Sequence, residues 1–255
     1  MSLAYAIDPE TKMTLNASML ARIRSDIISC RLLPNERLRV ETLRQRYQVG
    51  GTPIRDALMR LEAEGLVQLE QNKGFRVSGV SKESLLDLMR CRVELENTAL
   101  RWSIEHGSVE WEANLLGAFH RLSRERKIDA RDHKSTSAAW SNHHRAFHLA
   151  LVSACASPIL LSLRSGLFEQ AERYVALSIV SKAIHRDDVD EHQQIMQASL
   201  DRDVARALKL NREHIERTTE KVLKSLEPLK FKPPGRRAKA PAARSATRGA
   251  ALHEG

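Results

Sequence analysis

Four histidines carry the clearest chemistry in this chain. His144 and His148 are four residues apart, which on a helix places both imidazoles on one face. His192 and His214 fall in two later amphipathic segments, so a bundle of helices can bring all four rings into its interior. Imidazole is a common ligand for divalent transition metals, and three or four together suit Zn, Ni or Mn. A histidine-bound metal can also activate water. The alternative reading is therefore a metal-dependent helical-bundle hydrolase with an accessory nucleic-acid-binding domain. Nothing in the sequence supplies the rest of such an enzyme: there is no HExxH, no paired carboxylate at a shared spacing, no Gly-rich phosphate loop and no nucleophile elbow. Four protein ligands would also leave a tetrahedral ion little room for a reactive water. The expectation is a binding protein with no catalytic residues.

Those histidines need helices to hold them, and the composition provides for helices. The chain has 255 residues, 42% hydrophobic and 29% charged, with only 11 Gly and 8 Pro to punctuate it. That is enough for two domains and disfavours a turn-rich β sandwich. No window offers eighteen consecutive apolar residues and no basic-then-apolar leader opens the chain, so the expected setting is the cytoplasm, with no membrane. Cys30, Cys91 and Cys155 are scattered without CxxC spacing and read as reduced structural thiols.

After a flexible N-terminus over 1–14, Leu20, Ile23, Ile27 and Ile28 recur at helical spacing until Pro34, which predicts a first helix over 17–30. A short second helix runs from Val40 to Tyr47. Thr52 followed by Pro53 reads as an N-cap and first helical residue, opening a third helix that Gly65 ends. Leu66 to Leu69 and Phe75 to Val80 flank a polar turn at Glu70 to Gly74, a hairpin signature. Three helices and a hairpin make residues 15–80 a winged helix-turn-helix. Residues 81–228 read as an all-α bundle of about six helices: Ser81 to His106, Ser108 to about Lys127, then 136–155, 158–181 and 187–226 with a break near Leu200 to Asp203. The fold class is mainly α.

Net charge is +9, and it is unevenly spread. Residues 15–80 hold eleven Lys and Arg against seven Asp and Glu, residues 81–228 hold twenty-two of each, and residues 229–255 hold seven basic side chains against Glu254. A basic first domain before a neutral second one is what a protein meeting a polyanion through the first alone would show. The Pro-, Ala- and Arg-rich stretch 229–255 is expected to be a disordered basic tail. In a helix-turn-helix the recognition helix enters the major groove by its N-terminal residues, here Thr52, Pro53, Ile54 and Arg55. Arg55 has a forked donor set suited to guanine or phosphate. Arg37 and Arg44, with Arg39 and Arg46, flank the second helix and could hold phosphates.

PNERLRVETLRQRYQVGGTPIRDALMRLEAEGLV followed by NKGFRV resembles the DNA-binding domain of GntR-family bacterial transcription factors. The later FHLAL, DEHQQIMQASLDRD and ALKLNREHI resemble the ligand-binding FCD domain of that family's FadR-type branch. HHRAFHLALVSACASPILL, QAERY and EHQQI are most similar to regulators of carbon-starvation and dicarboxylate catabolism genes. The resemblance implies a homodimeric, ligand-responsive repressor on double-stranded operator DNA, with 81–228 binding a small carboxylate effector and mediating dimerisation. It places Lys73 and Gly74 at a wing tip near the minor groove. It maps the metal ligands onto His144, His148, His192 and His214, with His144 where the family carries Asp. It puts Arg92 where an effector carboxylate is met, although Arg92 can instead pair with Glu96 at i+4. Arg173 and Tyr174, on a later helix, either add a second anionic clamp or are a surface Arg beside a packed Tyr. Glu41 and Gly51 depart from the family pattern, each standing where many members carry an Arg.

Overall fold

The computed structural model describes residues 9–128, 137–180 and 188–226. The basic tail expected at 229–255 lies outside the described residues. The N-terminal unit follows the order α1 (Pro9–Ile28), β1 (Arg37–Leu38), α2 (Val40–Tyr47), α3 (Gly51–Ala63), β2 (Val67–Glu70) and β3 (Gly74–Val77). The periodic apolar residues Ile23, Ile27, Leu43, Ile54, Leu58 and Leu61 close one core between the helices and the sheet.

Three expectations are corrected here. Helix α1 starts at Pro9, inside the stretch expected to be flexible, because a proline in the first turn lacks only an N–H that would have had no intrahelical acceptor. Thr52 is not the N-cap of α3. Gly50 takes that position with extended φ and ψ of −66° and 165°, and Pro53 is still early enough to cost no helical hydrogen bond. The sheet has three strands in the order β1-β3-β2, since Arg37 and Leu38 pair antiparallel with Arg76 and Phe75. Two residues are too short to show a period, so β1 had no signal in the sequence.

The second unit is an all-helical bundle of α4 (Lys82–His106), α5 (Val109–Ser123), α6 (Ala138–Val152), α7 (Pro158–Val180), α8 (Val189–Leu200) and α9 (Val204–Leu226). Ser81, Ser108 and Ser137 cap α4, α5 and α6 by accepting from the backbone N–H three residues on. Between α4 and α5, Gly107 is needed for close approach, because a Cβ there would lie 2.2 Å from the Trp111 ring. The α8–α9 break falls at the expected place. Arg202 adopts a left-handed φ of 58° and sends its guanidinium to the Gly107 carbonyl at 2.8 Å and to Glu112.

The two units meet along α1 and α7. Arg24 of α1 pairs with Glu64 at 2.5 Å and reaches Glu169 of α7 at 3.6 Å. Gln170 donates to the Glu64 carbonyl at 3.5 Å, and Arg173 donates to the Ser78 carbonyl. Cys30, Val80, Leu85, Tyr174 and Leu177 form the apolar part of the junction.

In the first unit, Asp26 is a polar hub among apolar residues. It accepts from Tyr47 Oη at 2.7 Å and Arg31 Nε at 2.6 Å, and pairs with Arg46 at 3.0 Å. Burial alone would raise its pKa, but the hydrogen bonds from Tyr47 and Arg31 and the charges of Arg31 and Arg46 outweigh this and lower it. A lowered folded pKa means stabilisation that is present above the unfolded value and lost as pH falls through the folded one. Asp26→Asn should therefore cost about 1–3 kcal/mol at pH 7. Melting curves should show the gap between variant and wild type closing below about pH 4, near the unfolded carboxyl pKa.

Candidate functional site

The basic residues predicted for nucleic acid all lie on the first unit. Arg55 and Thr52 are exposed on the first two turns of α3, with Pro53 half-buried between them. Arg55 makes no ion pair among the described residues. Arg44 is exposed on the last turn of α2, where its Nη1 donates to Glu41 at 2.8 Å. Arg37 projects from β1, and Lys73 and Gly74 are exposed at the β2–β3 tip, with Gly74 at a φ of 81° that favours glycine. Two other cations have structural work instead: Arg46 pairs with Asp26, while Arg76 bridges Glu70 and the Asn35 carbonyl.

In the bundle, α6 supplies His144 and His148, α8 supplies His192 and α9 supplies His214. Their candidate ligand nitrogens all lie within 4.8 Å of one another. His144 Nε2 and His148 Nε2 are 3.2 Å apart, and ring centroids lie at 5.1 Å for His148–His192 and 4.7 Å for His192–His214. His148, His192 and His214 are buried and His144 half-buried. Donors at about 2.1 Å from one tetrahedral ion lie roughly 3.4 Å from one another, a spacing close to that of His144 and His148, and the wider pairs would have to close by on the order of 1 Å. Burial first, then the neighbouring histidines and cations, push His144 and His148 well below the usual imidazole pKa, leaving them neutral with lone pairs to donate. His144 Nδ1 is buried with no hydrogen-bond partner among the described residues.

Outer groups orient this set, and the sequence reading did not include them. Glu191 lies 2.9 Å from His214 Nδ1 and is itself held by Arg217 at 3.1 Å, which fixes Nδ1–H on the carboxylate and turns Nε2 towards the other rings. His144 stacks on Trp140 at 4.5 Å, and Lys127 lies over that same indole while pairing with Asp188 at 2.5 Å. Asp188 and Glu191 place carboxylates around the cluster, paired outward with Lys127 and Arg217. The donor set fits a divalent transition metal.

Beside the rings, Arg92 is buried as an anion-binding role requires, yet it is not alone. Its Nε lies 3.3 Å from Glu96, whose second oxygen accepts from Arg164 Nε at 2.8 Å. Arg164 also donates to the His148 carbonyl, and both guanidinium carbons sit within 5 Å of the Phe168 ring centroid, at 4.6 and 4.9 Å. Burial, the largest influence, lowers the Arg92 pKa and Arg164 adds to this, while Glu96 opposes it. Arg164 was missed by sequence reasoning, though Arg164, Phe168 and Glu172 recur every four residues on α7 and so share a face.

Arg173 and Tyr174 do not join this site. They lie one and two residues past that face, so α7 turns them to the junction between units. There Arg173 serves the Ser78 carbonyl and Tyr174 is core. The proposed second clamp is corrected accordingly.

The Glu96 carboxylate is the common acceptor of two buried guanidiniums. Glu96→Ala should destabilise the bundle by about 3–5 kcal/mol, since it strands uncompensated buried charge. Chemical denaturation checks this, with Glu96→Gln expected to fall between the alanine variant and wild type.

Residues 15–77 match the bacterial regulatory proteins of the gntR family, and residues 87–217 match the FCD domain. The chain is 38% identical over 197 residues to the HTH-type transcriptional repressor GlaR of Escherichia coli, covering 76% of this chain and 89% of the relative. It is also 38% identical over 195 residues to the HTH-type transcriptional regulator BphR of Paraburkholderia xenovorans, covering 76% and 80%. Among solved structures, E. coli McbR/YncC superimposes with a TM-score of 0.68 at 20% identity, over 82% of this chain and 97% of that one, which supports the fold. With a winged helix-turn-helix leading into a helical bundle and both halves matched in that order, the chain belongs to the GntR family of bacterial transcriptional regulators and carries a C-terminal FCD domain.

Proposed function

We propose that this regulator is an effector-responsive repressor of a catabolic operon, acting in the cytoplasm as a homodimer. Its effector is a small mono- or dicarboxylate bound in the bundle beside a divalent Zn, Ni or Mn ion held by His144, His148, His192 and His214. The observation that carries this reading is the adjacency of four clustered imidazoles, three of them buried, to the Arg92–Glu96–Arg164 network. A bound cation would lower the cost of desolvating an anion there. Repression is favoured by the name of the relative GlaR, a transcriptional repressor. Among the described residues, no helix is long and apolar enough to cross a membrane.

On DNA, Arg55 would read base edges or phosphate from the first turns of α3, Thr52 and Pro53 would line the backbone, and Arg37, Lys73 and Gly74 would meet phosphates and the minor groove. Two-fold symmetry would set two half-sites about one helical turn apart. A ligand acts on DNA only by preferring one arrangement of the two units. Helix α7 supports such coupling: Arg164, Phe168 and Glu172 face the site, while Glu169, Gln170 and Arg173 engage the first unit. The linker at Val80 to Lys82 is the hinge.

Arg55→Ala should weaken operator binding by roughly 1–3 kcal/mol, read by gel shift or anisotropy; unchanged affinity removes Arg55 from the interface. Wild type should purify with, or take up from added Zn, about one divalent ion per chain, and His192→Ala should hold less. Calorimetry with succinate and shorter carboxylates should show binding to the metal-loaded wild type that weakens in Arg92→Ala. Metal-free wild type that binds carboxylates as well as His192→Ala does would mean the histidines are structural.

A further inference from the structure

We propose that Arg44 of α2 reads a guanine in the major groove, working beside Arg55 over the open side of Gly51. The inference rests on the DNA-binding role of the helix pair and names a specificity-determining residue within it.

Gly51 is the first residue of the recognition helix. A Cβ built there would meet Arg55 Nη1 at 3.3 Å, Arg44 Cδ at 3.6 Å and Val40 Cγ1 at 3.7 Å. Side chains from two different helices therefore fold over one glycine. The stem of Arg44 and a Val40 methyl both border the open side of Gly51, where a side chain at that position would lie in ordinary contact with them. The aliphatic stem of Arg44 thus passes the N-terminal end of α3, the part of a helix-turn-helix that meets base edges, so its guanidinium starts from there.

The Arg44 head is also oriented. Nη1 donates to Glu41 at 2.8 Å, a contact one turn back on the same helix. That fixes the plane of the fork and leaves other N–H groups to reach a two-acceptor edge such as guanine O6 and N7. The Arg44 side chain remains 47% exposed. On the same flank an open groove of about 380 Å³ is lined by Glu41, Arg44, Gln45, Gln48, Val49 and Gly50; Glu41 is answered there by Arg44, and the two amide side chains suit base edges as well. A guanine edge offers two acceptors to the N–H groups that Glu41 leaves free, which would make the contact selective.

The test uses the full-length protein and a randomised double-stranded DNA library. The site selected by wild type is titrated, together with its single-base variants and at several salt concentrations, against wild type, Arg44→Ala, Arg44→Lys and Arg55→Ala. Arg44→Ala and Arg44→Lys should each lose about 5- to 150-fold on the selected site and should flatten preference at one base pair per half-site while the other positions keep theirs. The lysine variant retains a cation and an aliphatic stem, so its melting temperature should match wild type. The proposal is overturned if Arg44→Lys keeps the wild-type preference at every base pair. It is equally overturned if Arg44→Ala weakens all sequences alike while the salt slope falls by about one, the mark of a phosphate contact. Loss of preference in Arg55→Ala with none in Arg44→Ala would sink the proposal and leave the DNA-binding role of the helix pair intact.

Discussion

Charge kept away from water must be answered by charge, and the bundle is arranged around that demand. Arg92 and Arg164 are both buried, as is the Glu96 carboxylate that receives an N–H from each. An isolated guanidinium in such a place would cost several kcal/mol, so three helices are tied by one carboxylate: α4 brings Arg92 and Glu96, and α7 brings Arg164, which in turn holds the His148 carbonyl of α6. The histidines follow from the same demand. Burial first, and then neighbouring histidines and cations, hold His144 and His148 well below the usual imidazole pKa, which favours the lone-pair form a metal requires.

The outer groups extend this logic. All four candidate ligands are imidazoles, so none brings the negative charge that a carboxylate would. Glu191 behind His214, and Asp188 paired with Lys127 behind Trp140, hold negative charge one layer out. Each of these carboxylates has a cation of its own, so what the outer groups supply to the rings is orientation.

Helix α7 touches both units. Its inward face carries Arg164 and Phe168 against the rings, and Glu172, which Arg145 holds together with Glu169. Glu169 in turn reaches Arg24 of α1. A single rigid helix thus has one side in the effector region and another on the DNA-binding unit, and a ligand that shifted it would be felt at both ends.

Much of this was legible in the residues themselves. Apolar period, caps and breaks placed most of the helices, because local spacing and local hydrogen bonding decide them. The four histidines and the basic first unit were visible as residue types. The strand Arg37–Leu38 was not, since it exists only through pairing with β3, and the true cap at Gly50 was hidden by a Thr-Pro pair that reads more strongly. Glu96 was seen only as a helical neighbour of Arg92, and Arg164, Glu191 and Asp188 were not seen at all. Their importance depends on which residues from distant segments share a desolvated space. For the same reason Arg173 and Tyr174, for which the sequence leaves open an anionic clamp or a packed Tyr beside a surface Arg, belong to the junction, with Arg173 buried as well: a turn of one or two residues on α7 decides what a side chain faces, and only packing sets that turn.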